Sequence, residues 1–206
     1  MFEIELGPET DKRYLKINLP TRPKKLGVMV SGGLDSAILY YIIQKLNIDH
    51  NLNHTICPIV ILREEGSKTH ADPVIEYVNE SLNLPSQIIE KLDFEQKIPP
   101  HLEVKVAASI MKTRKKFDHI FIGLIITRPE HAIDIDVTGP VDNEFVLFPF
   151  ALLEKCHIID LIHQLNVQEL FNITISCDKG NYCGKCNGCR ERAWGFEIMN
   201  IVDTIK

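Results

Sequence analysis

The chain has 206 residues, 45% of them hydrophobic and 25% charged, with a net charge of −5. That length supports one domain with a real core, or one domain plus a small appendage. The acidic balance points away from duplex nucleic acid and anionic membranes, and no apolar run approaches the roughly 20 residues of a membrane span. The opening Met1-Phe2-Glu3-Ile4-Glu5 lacks the basic flank and apolar stretch of a secretory leader, so a cytoplasmic protein is the expectation.

In chain order, residues 1–20 read as a β-hairpin, with alternation in Phe2–Leu6 and Tyr14–Asn18 around a Gly7-Pro8 turn. After a Pro/Lys linker, Leu26 to Val30 form an apolar strand. It runs into Ser31-Gly32-Gly33-Leu34-Asp35-Ser36 and then a helix near 36–47. Glycines in such a turn let the backbone approach an anion, and the helix start offers free N–H groups and the positive end of its dipole. Ser31 and Ser36 add hydroxyls. The pattern is a phosphate cradle.

An apolar strand over 55–62 follows, interrupted by Pro58, then a helix near 71–83, a short strand over Ser86–Glu90 and a helix over 101–116. The Lys112–Lys116 run reads as the solvated end of that helix. His119–Leu124 reads as a buried strand, 125–145 as a long polar loop, and Val146–Phe150 as an extended segment. Helices near 154–165 and 190–203 flank a cysteine-rich stretch. Alternating strands and helices predict a doubly wound α/β sheet with parallel strands, whose ligands lie beyond the strands' carboxyl ends. The expected division is a hairpin extension at 1–20, a nucleotide-binding domain at 26–170, and a metal-binding segment with its helix at 171–206.

Cys57 and Cys156 are isolated in apolar segments and read as small buried hydrophobes. Cys177, Cys183, Cys186 and Cys189 crowd together, which in a chain without a leader reads as a metal site before disulfides. Four thiolates suit a closed tetrahedral Zn²⁺ site; an iron–sulfur cluster is the alternative.

The Ser-Gly-Gly-x-Asp-Ser loop after a strand and before a helix resembles that of the PP-loop enzymes, the N-type ATP pyrophosphatases. That resemblance implies cleavage of ATP between its α- and β-phosphates. The backbone of Gly32, Gly33 and Leu34 through Ser36, with the Ser31 and Ser36 hydroxyls, would hold phosphate. Asp35 would orient the loop or help place Mg²⁺. Lys155, in Pro149-Phe150-Ala151-Leu152-Leu153-Glu154-Lys155, would neutralise phosphate charge. Leu62 and Gly123, near the ends of their strands, complete the expected nucleotide-binding set.

The order Cys177…Cys183-Gly184-Lys185-Cys186-Asn187-Gly188-Cys189, continuing to Arg192 and Gly195-Phe196, is similar to the zinc motif of 7-cyano-7-deazaguanine synthases. This second resemblance implies an ATP-dependent ligase that adenylates 7-carboxy-7-deazaguanine, adds ammonia, and adenylates the amide oxygen to give the nitrile. It implies a structural zinc and a small-molecule carboxylate and ammonia as partners, without membrane or nucleic acid. A homodimer and a subunit of a larger assembly both stay open. The middle of the chain departs from that family at Glu64–His70, Pro99–Glu103 and Ile125–His131. Alternatives are therefore another PP-loop substrate, in tRNA thiolation or in protein or DNA modification, or a non-catalytic nucleotide-binding subunit. His70, His101, Arg128, His131, Glu64, Glu65, Asp134, Asp136 and Asp142 fall where substrate or Mg²⁺ contacts would lie, and each is also an ordinary solvated residue.

Overall fold

A computed structural model describes residues 1–62, 70–94, 100–128, 144–177 and 180–205, with the backbone alone over 100–105. The N-terminal alternation forms an antiparallel hairpin, β1 (Phe2–Leu6) and β2 (Arg13–Ile17), as a sheet of its own. The main sheet has five parallel strands: β3 (Lys25–Met29), β4 (Thr55–Leu62), β5 (Glu90–Asp93), β6 (His119–Phe121) and β7 (Val146–Leu147). Their order across the sheet is β5-β4-β3-β6-β7. The chain therefore winds outward from β3 on one side and then returns to build the other side. The switch point lies between β3 and β6, where an open parallel sheet leaves a crevice for ligands.

Among the described residues six helices complete the fold: α1 (Leu34–Asp49), α2 (Ala71–Ser81), α3 (Pro100–Thr113), α4 (Lys155–Gln164), α5 (Leu170–Ile173) and α6 (Asn187–Ile198). Strand side chains alternate between two apolar layers. Leu26 and Val28 face one layer with Ile38, Ile42, Val74, Ile158 and Phe196. Met29, Cys57 and Ile59 face the other with Ala107, Met111 and Phe117. The doubly wound parallel α/β class read from the sequence is the observed one.

Pro58 sits inside β4, opposite Val28. The Ile59 carbonyl accepts from Val30 N–H on the β3 side, so Pro58 turns toward β5. The β5 ladder begins only at the Ile59–Glu90 pair, and the missing N–H breaks no rung.

Four expectations shift. The strand expected at Ser86–Glu90 lies at Glu90–Asp93, because Leu92 is the residue buried here while Ile88 stays exposed. The α3 helix stops at Thr113, and Lys115 takes a left-handed φ of 49°, so the last cations form a turn. The strands expected over 119–124 and 146–150 shorten to 119–121 and 146–147, with a turn over 149–152. The last helix starts at Asn187 and ends at Ile198, so Cys189 lies in its first turn.

The hairpin docks on the start of α4. Gly7 N–H donates to Asp160 (2.7 Å) and Gln164 donates to the Glu5 carbonyl (3.1 Å). Glu154, the residue before α4, closes a reciprocal cap: His157 N–H meets the Glu154 side chain, and Glu154 N–H donates to His157 Nδ1 at 3.1 Å. His157 is fully buried, and its Nε2 lies 3.0 Å from the Asp11 carbonyl. With Nδ1 accepting, Nε2 carries the proton and the ring is neutral. Asp11 Oδ2 at 3.7 Å is thus a polar contact rather than an ion pair.

Burial pushes the His157 imidazole below its ordinary value of 6.5. The unfolded chain then binds the extra proton first. The His157 contribution to stability is complete above pH 6.5 and is lost as pH falls through the lowered folded-state value. Melting temperature is expected to drop over that window, and His157→Gln to lose most of the slope. Equal slopes in melts of the two proteins against pH would exclude His157 as the source.

Candidate active site and metal centre

The Ser31–Ser36 loop leaves the carboxyl end of β3 at the switch point. Gly33 is the residue before α1, with extended φ −84° and ψ 164° and no side-chain cap, so the first N–H groups of α1 remain available to a ligand. Gly32 has φ +89°, and a Cβ there would fall 2.4 Å from the His70 carbonyl carbon and oxygen. Only glycine fits. The loop hydroxyls are bonded within the loop. Ser36 Oγ donates to the Gly33 carbonyl at 3.1 Å and accepts from Ser31 N–H at 3.1 Å. Ser31 Oγ lies 3.0 Å from Ser36 Oγ and accepts from Gly33 N–H at 3.3 Å.

Asp35, in the first turn of α1, carries both oxygens on Lys155 Nζ, at 2.7 and 2.6 Å. Lys155 is only 3% exposed. An ammonium at the first position of a helix opposes that helix's dipole. Here the carboxylate from α1 compensates it, and the lysine stem packs over Gly195 of α6. Two helix starts, the α1 one without a side-chain cap, thus converge on one ion pair. That arrangement favours an anion in front of it.

Glu154, one residue before Lys155, is itself clamped. Arg13 of the hairpin lies 2.8 Å from one of its oxygens and Arg128 lies 2.7 Å from the other. The Arg128 guanidinium also stacks on Trp194 of α6, 4.3 Å from the ring centroid. Hairpin, post-β6 loop and α6 therefore meet at the residue that orients Lys155.

Gly123, just past β6, lies against α1: a Cβ there would come 2.9 Å from the Asp35 carbonyl oxygen. Leu62 ends β4, half-buried and paired with Asp93. His70 is exposed with its backbone against Gly32, and its Nε2 is 3.3 Å from where a Gly180 Cβ would stand. Glu64, Glu65, His131, Asp134, Asp136, Asp142 and the side chain of His101 lie outside the described residues.

The four clustered cysteines come together, with all sulfurs within 4.8 Å of one another. Cys186 Sγ is 3.9 Å from Cys177 Sγ, and Cys183 Sγ is 4.0 Å from Cys189 Sγ. N–H groups of Lys185 and Cys186 point at the Cys183 sulfur and pull its thiol down to about 6, the thiolate side that a metal requires. The set could hold a metal ion. Cys57 and Cys156 are buried apart from it.

Arg192 locks the helix that follows the cluster. It is 2% exposed, and its five N–H groups are all used. Two go to Asp203 at 2.9 Å each, two to the Thr174 carbonyl and hydroxyl at 3.1 and 3.2 Å, and one to the Phe171 carbonyl at 2.7 Å. Sequence reading noted Arg192 only as part of a motif tail. Its partners are scattered along the chain and carry no spacing signal. The Glu154–His157 cap was equally hidden, since Glu-x-x-His is not the usual Ser/Thr-x-x-Glu pattern.

Known proteins share the fold and parts of the sequence. Among solved structures, the U34-tRNA thiolase NcsA from Methanococcus maripaludis, with its 4Fe–4S cluster, superposes with a TM-score of 0.52. The match covers 91% of this chain and 76% of that one at 15% identity, a likeness of fold. By that likeness and its sheet topology, the chain is a parallel α/β protein. Residues 130–200 match the family described as Queuosine biosynthesis protein QueC. A 7-cyano-7-deazaguanine synthase from Hydrogenovibrio crunogenus (strain DSM 25203 / XCL-2) is 27% identical over 222 residues, spanning 87% of this chain and 94% of that protein. Another, from Pseudomonas fluorescens (strain SBW25), is 39% identical over 62 residues, which is 28% of this chain and 27% of that protein. Over most of its length the chain is thus similar to 7-cyano-7-deazaguanine synthases. Among the described residues no helix is long and apolar enough to cross a membrane.

Proposed function

We propose that the chain is an ATP-dependent ligase that releases AMP and pyrophosphate while activating a carboxylate and then an amide oxygen. Its acceptor is 7-carboxy-7-deazaguanine, converted with ammonia to 7-cyano-7-deazaguanine. The observation that carries this reading is the buried Lys155–Asp35 pair directly beside an uncapped glycine loop at the switch point of the sheet. It supplies donors for a leaving pyrophosphate and a fixed cation that need not reorganise as charge develops.

In this reading the N–H groups of Gly33, Leu34, Asp35 and Ser36 hold the β- and γ-phosphates, joined by the Ser31 and Ser36 hydroxyls once they turn from their loop partners. Lys155 neutralises phosphate charge, and Asp35 holds Lys155 and is the loop's carboxylate for Mg²⁺. Gly123 and Leu62 border the nucleotide. Mg²⁺ would screen the phosphate oxygens. ATP supplies the electrophilic phosphorus. Each acceptor oxygen displaces pyrophosphate from it and later departs with AMP, first as ammonia adds and then as the amide loses its oxygen to become the nitrile.

The metal in this reading is one Zn²⁺. A tetrahedral ion about 2.3 Å from each sulfur needs sulfurs about 3.8 Å apart. The closest observed separations, 3.9 and 4.0 Å, are near that value. Such a closed four-thiolate site is structural rather than catalytic. tRNA thiolation is the weaker reading. Burial raises the Cys57 thiol and pushes the Cys156 thiol up to about 11, so neither is a ready nucleophile at neutral pH.

The test is a mass-spectrometric screen of carboxylates with ATP, Mg²⁺ and ammonia, 7-carboxy-7-deazaguanine first. AMP and the nitrile should accumulate together with that substrate. AMP formed only with other carboxylates would move the assignment to another acceptor. No AMP with any would contradict the enzymatic reading.

A further inference from the structure

Residues Thr174 to Cys177 form a strap between the phosphate loop and the cysteine cluster. At one end Arg192 holds the Thr174 carbonyl. Ile175 N–H then donates to the Gly32 carbonyl at 2.9 Å, tying the strap to the loop itself. At the other end the Cys177 sulfur joins the cluster.

Ser176 lies between these anchors. Its carbonyl is packed hard against α6: a Cβ at Gly188 would fall 1.8 Å from the Ser176 oxygen. Its side-chain Oγ is shut off from solvent and has no hydrogen-bond partner among the described residues. A buried hydroxyl without a partner is costly, and such groups in native proteins mark a role that a ligand or water completes. This hydroxyl lies close to the loop. A Cβ built on Gly33 would meet Ser31 Oγ at 3.6 Å, the Ile175 carbonyl at 3.8 Å and Ser176 Oγ at 3.9 Å, and nothing closer. The space beside Gly33, the residue before α1, is therefore bordered by Ser176. The Ile175 carbonyl beside it can only accept, so the hydroxyl is the donor this strap offers.

We propose that Ser176 is a further phosphate-binding residue, whose hydroxyl donates to the terminal phosphates of ATP at the loop, and that the metal cluster one residue on fixes that hydroxyl in place. The assignment rests on the reading of the loop as a nucleotide site. It gives the cysteine cluster a second consequence beyond folding, because loosening Cys177 loosens one wall of the cradle.

The experiment is equilibrium binding of ATP and of AMP to metal-loaded wild type and Ser176→Ala, with nucleotide-free melts and metal analysis of both. Ser176→Ala should weaken ATP about tenfold, the worth of a hydrogen bond to a charged group. AMP lacks the β- and γ-phosphates, and its affinity should stay within about twofold. Metal content should be unchanged. The nucleotide-free melting temperature should hold or rise, since the substitution removes a buried group that nothing satisfies. ATP affinity equal to wild type, parallel losses for ATP and AMP, or a fall in metal content or melting temperature would each overturn the proposal. Wild type that binds no ATP would overturn the nucleotide reading, and the Ser176 assignment with it.

Discussion

Asp35→Asn is expected to abolish pyrophosphate release and to destabilise the fold more than Lys155→Met does. The asymmetry follows from burial. Lys155 is 3% exposed and Asp35 is 23% exposed. Removing the carboxylate charge strands an ammonium with almost no access to water, a defect that costs about 3–5 kcal/mol. Removing the ammonium leaves a carboxylate that can still hydrate, and methionine refills the space over Gly195, so that loss is about 1–2 kcal/mol. Activity should respond differently. Lys155→Met removes the cation directly and should slow the chemistry by about 10²–10³-fold. Urea midpoints and pyrophosphate release measured on both variants check the ordering. Equal destabilisation, or full turnover in either, would contradict the pair's assigned role.

Cys186→Ser is expected to lower metal content and to destabilise the protein by about 4 kcal/mol or more, the class of loss seen when a structural metal goes. Cys186 immediately precedes α6, and its sulfur is 3.9 Å from that of Cys177. Losing it frees both ends of the 177–189 loop. Arg192 remains to hold Thr174 to Asp203, so α6 should stay docked while the loop before it opens. Chelation of wild type should reproduce the loss without a substitution. The checks are metal analysis and melts of both samples. An unchanged metal count in Cys186→Ser would remove that cysteine from the ligand set.

Much of the architecture was readable because it is local. The apolar strand running into Ser31–Ser36, and cysteines with two or five residues between them, are patterns whose chemistry needs adjacent residues. The strand over Thr55–Leu62 was found at its observed bounds despite Pro58, since eight mostly apolar residues outweigh one absent donor. The strand near 90 was misplaced for the opposite reason. Ile88 and Ile89 look like core by composition, yet Ile88 is 86% exposed and Leu92 is the residue the sheet buries. Lys155 was singled out by resemblance, but the sequence could not tell a surface lysine from a buried one. Its partner stands 120 residues away. Arg13, Glu154 and His157 had no signature at all, and Arg128 was read only as a rim residue, because their contacts depend on how the hairpin docks against α4. Ser176 carries no signal of its own in the sequence, and its lack of a partner among the described residues is visible only in three dimensions.

The central claim is that the serine–glycine loop presents ATP so that an acceptor oxygen attacks its innermost phosphorus. The most direct measurement uses 7-carboxy-7-deazaguanine labelled with ¹⁸O in its carboxylate, incubated with ATP, Mg²⁺ and ammonia. Attack at that phosphorus carries the label into AMP and leaves pyrophosphate unlabelled. Label recovered in inorganic phosphate with ADP as the co-product, or AMP formed without label, would contradict it.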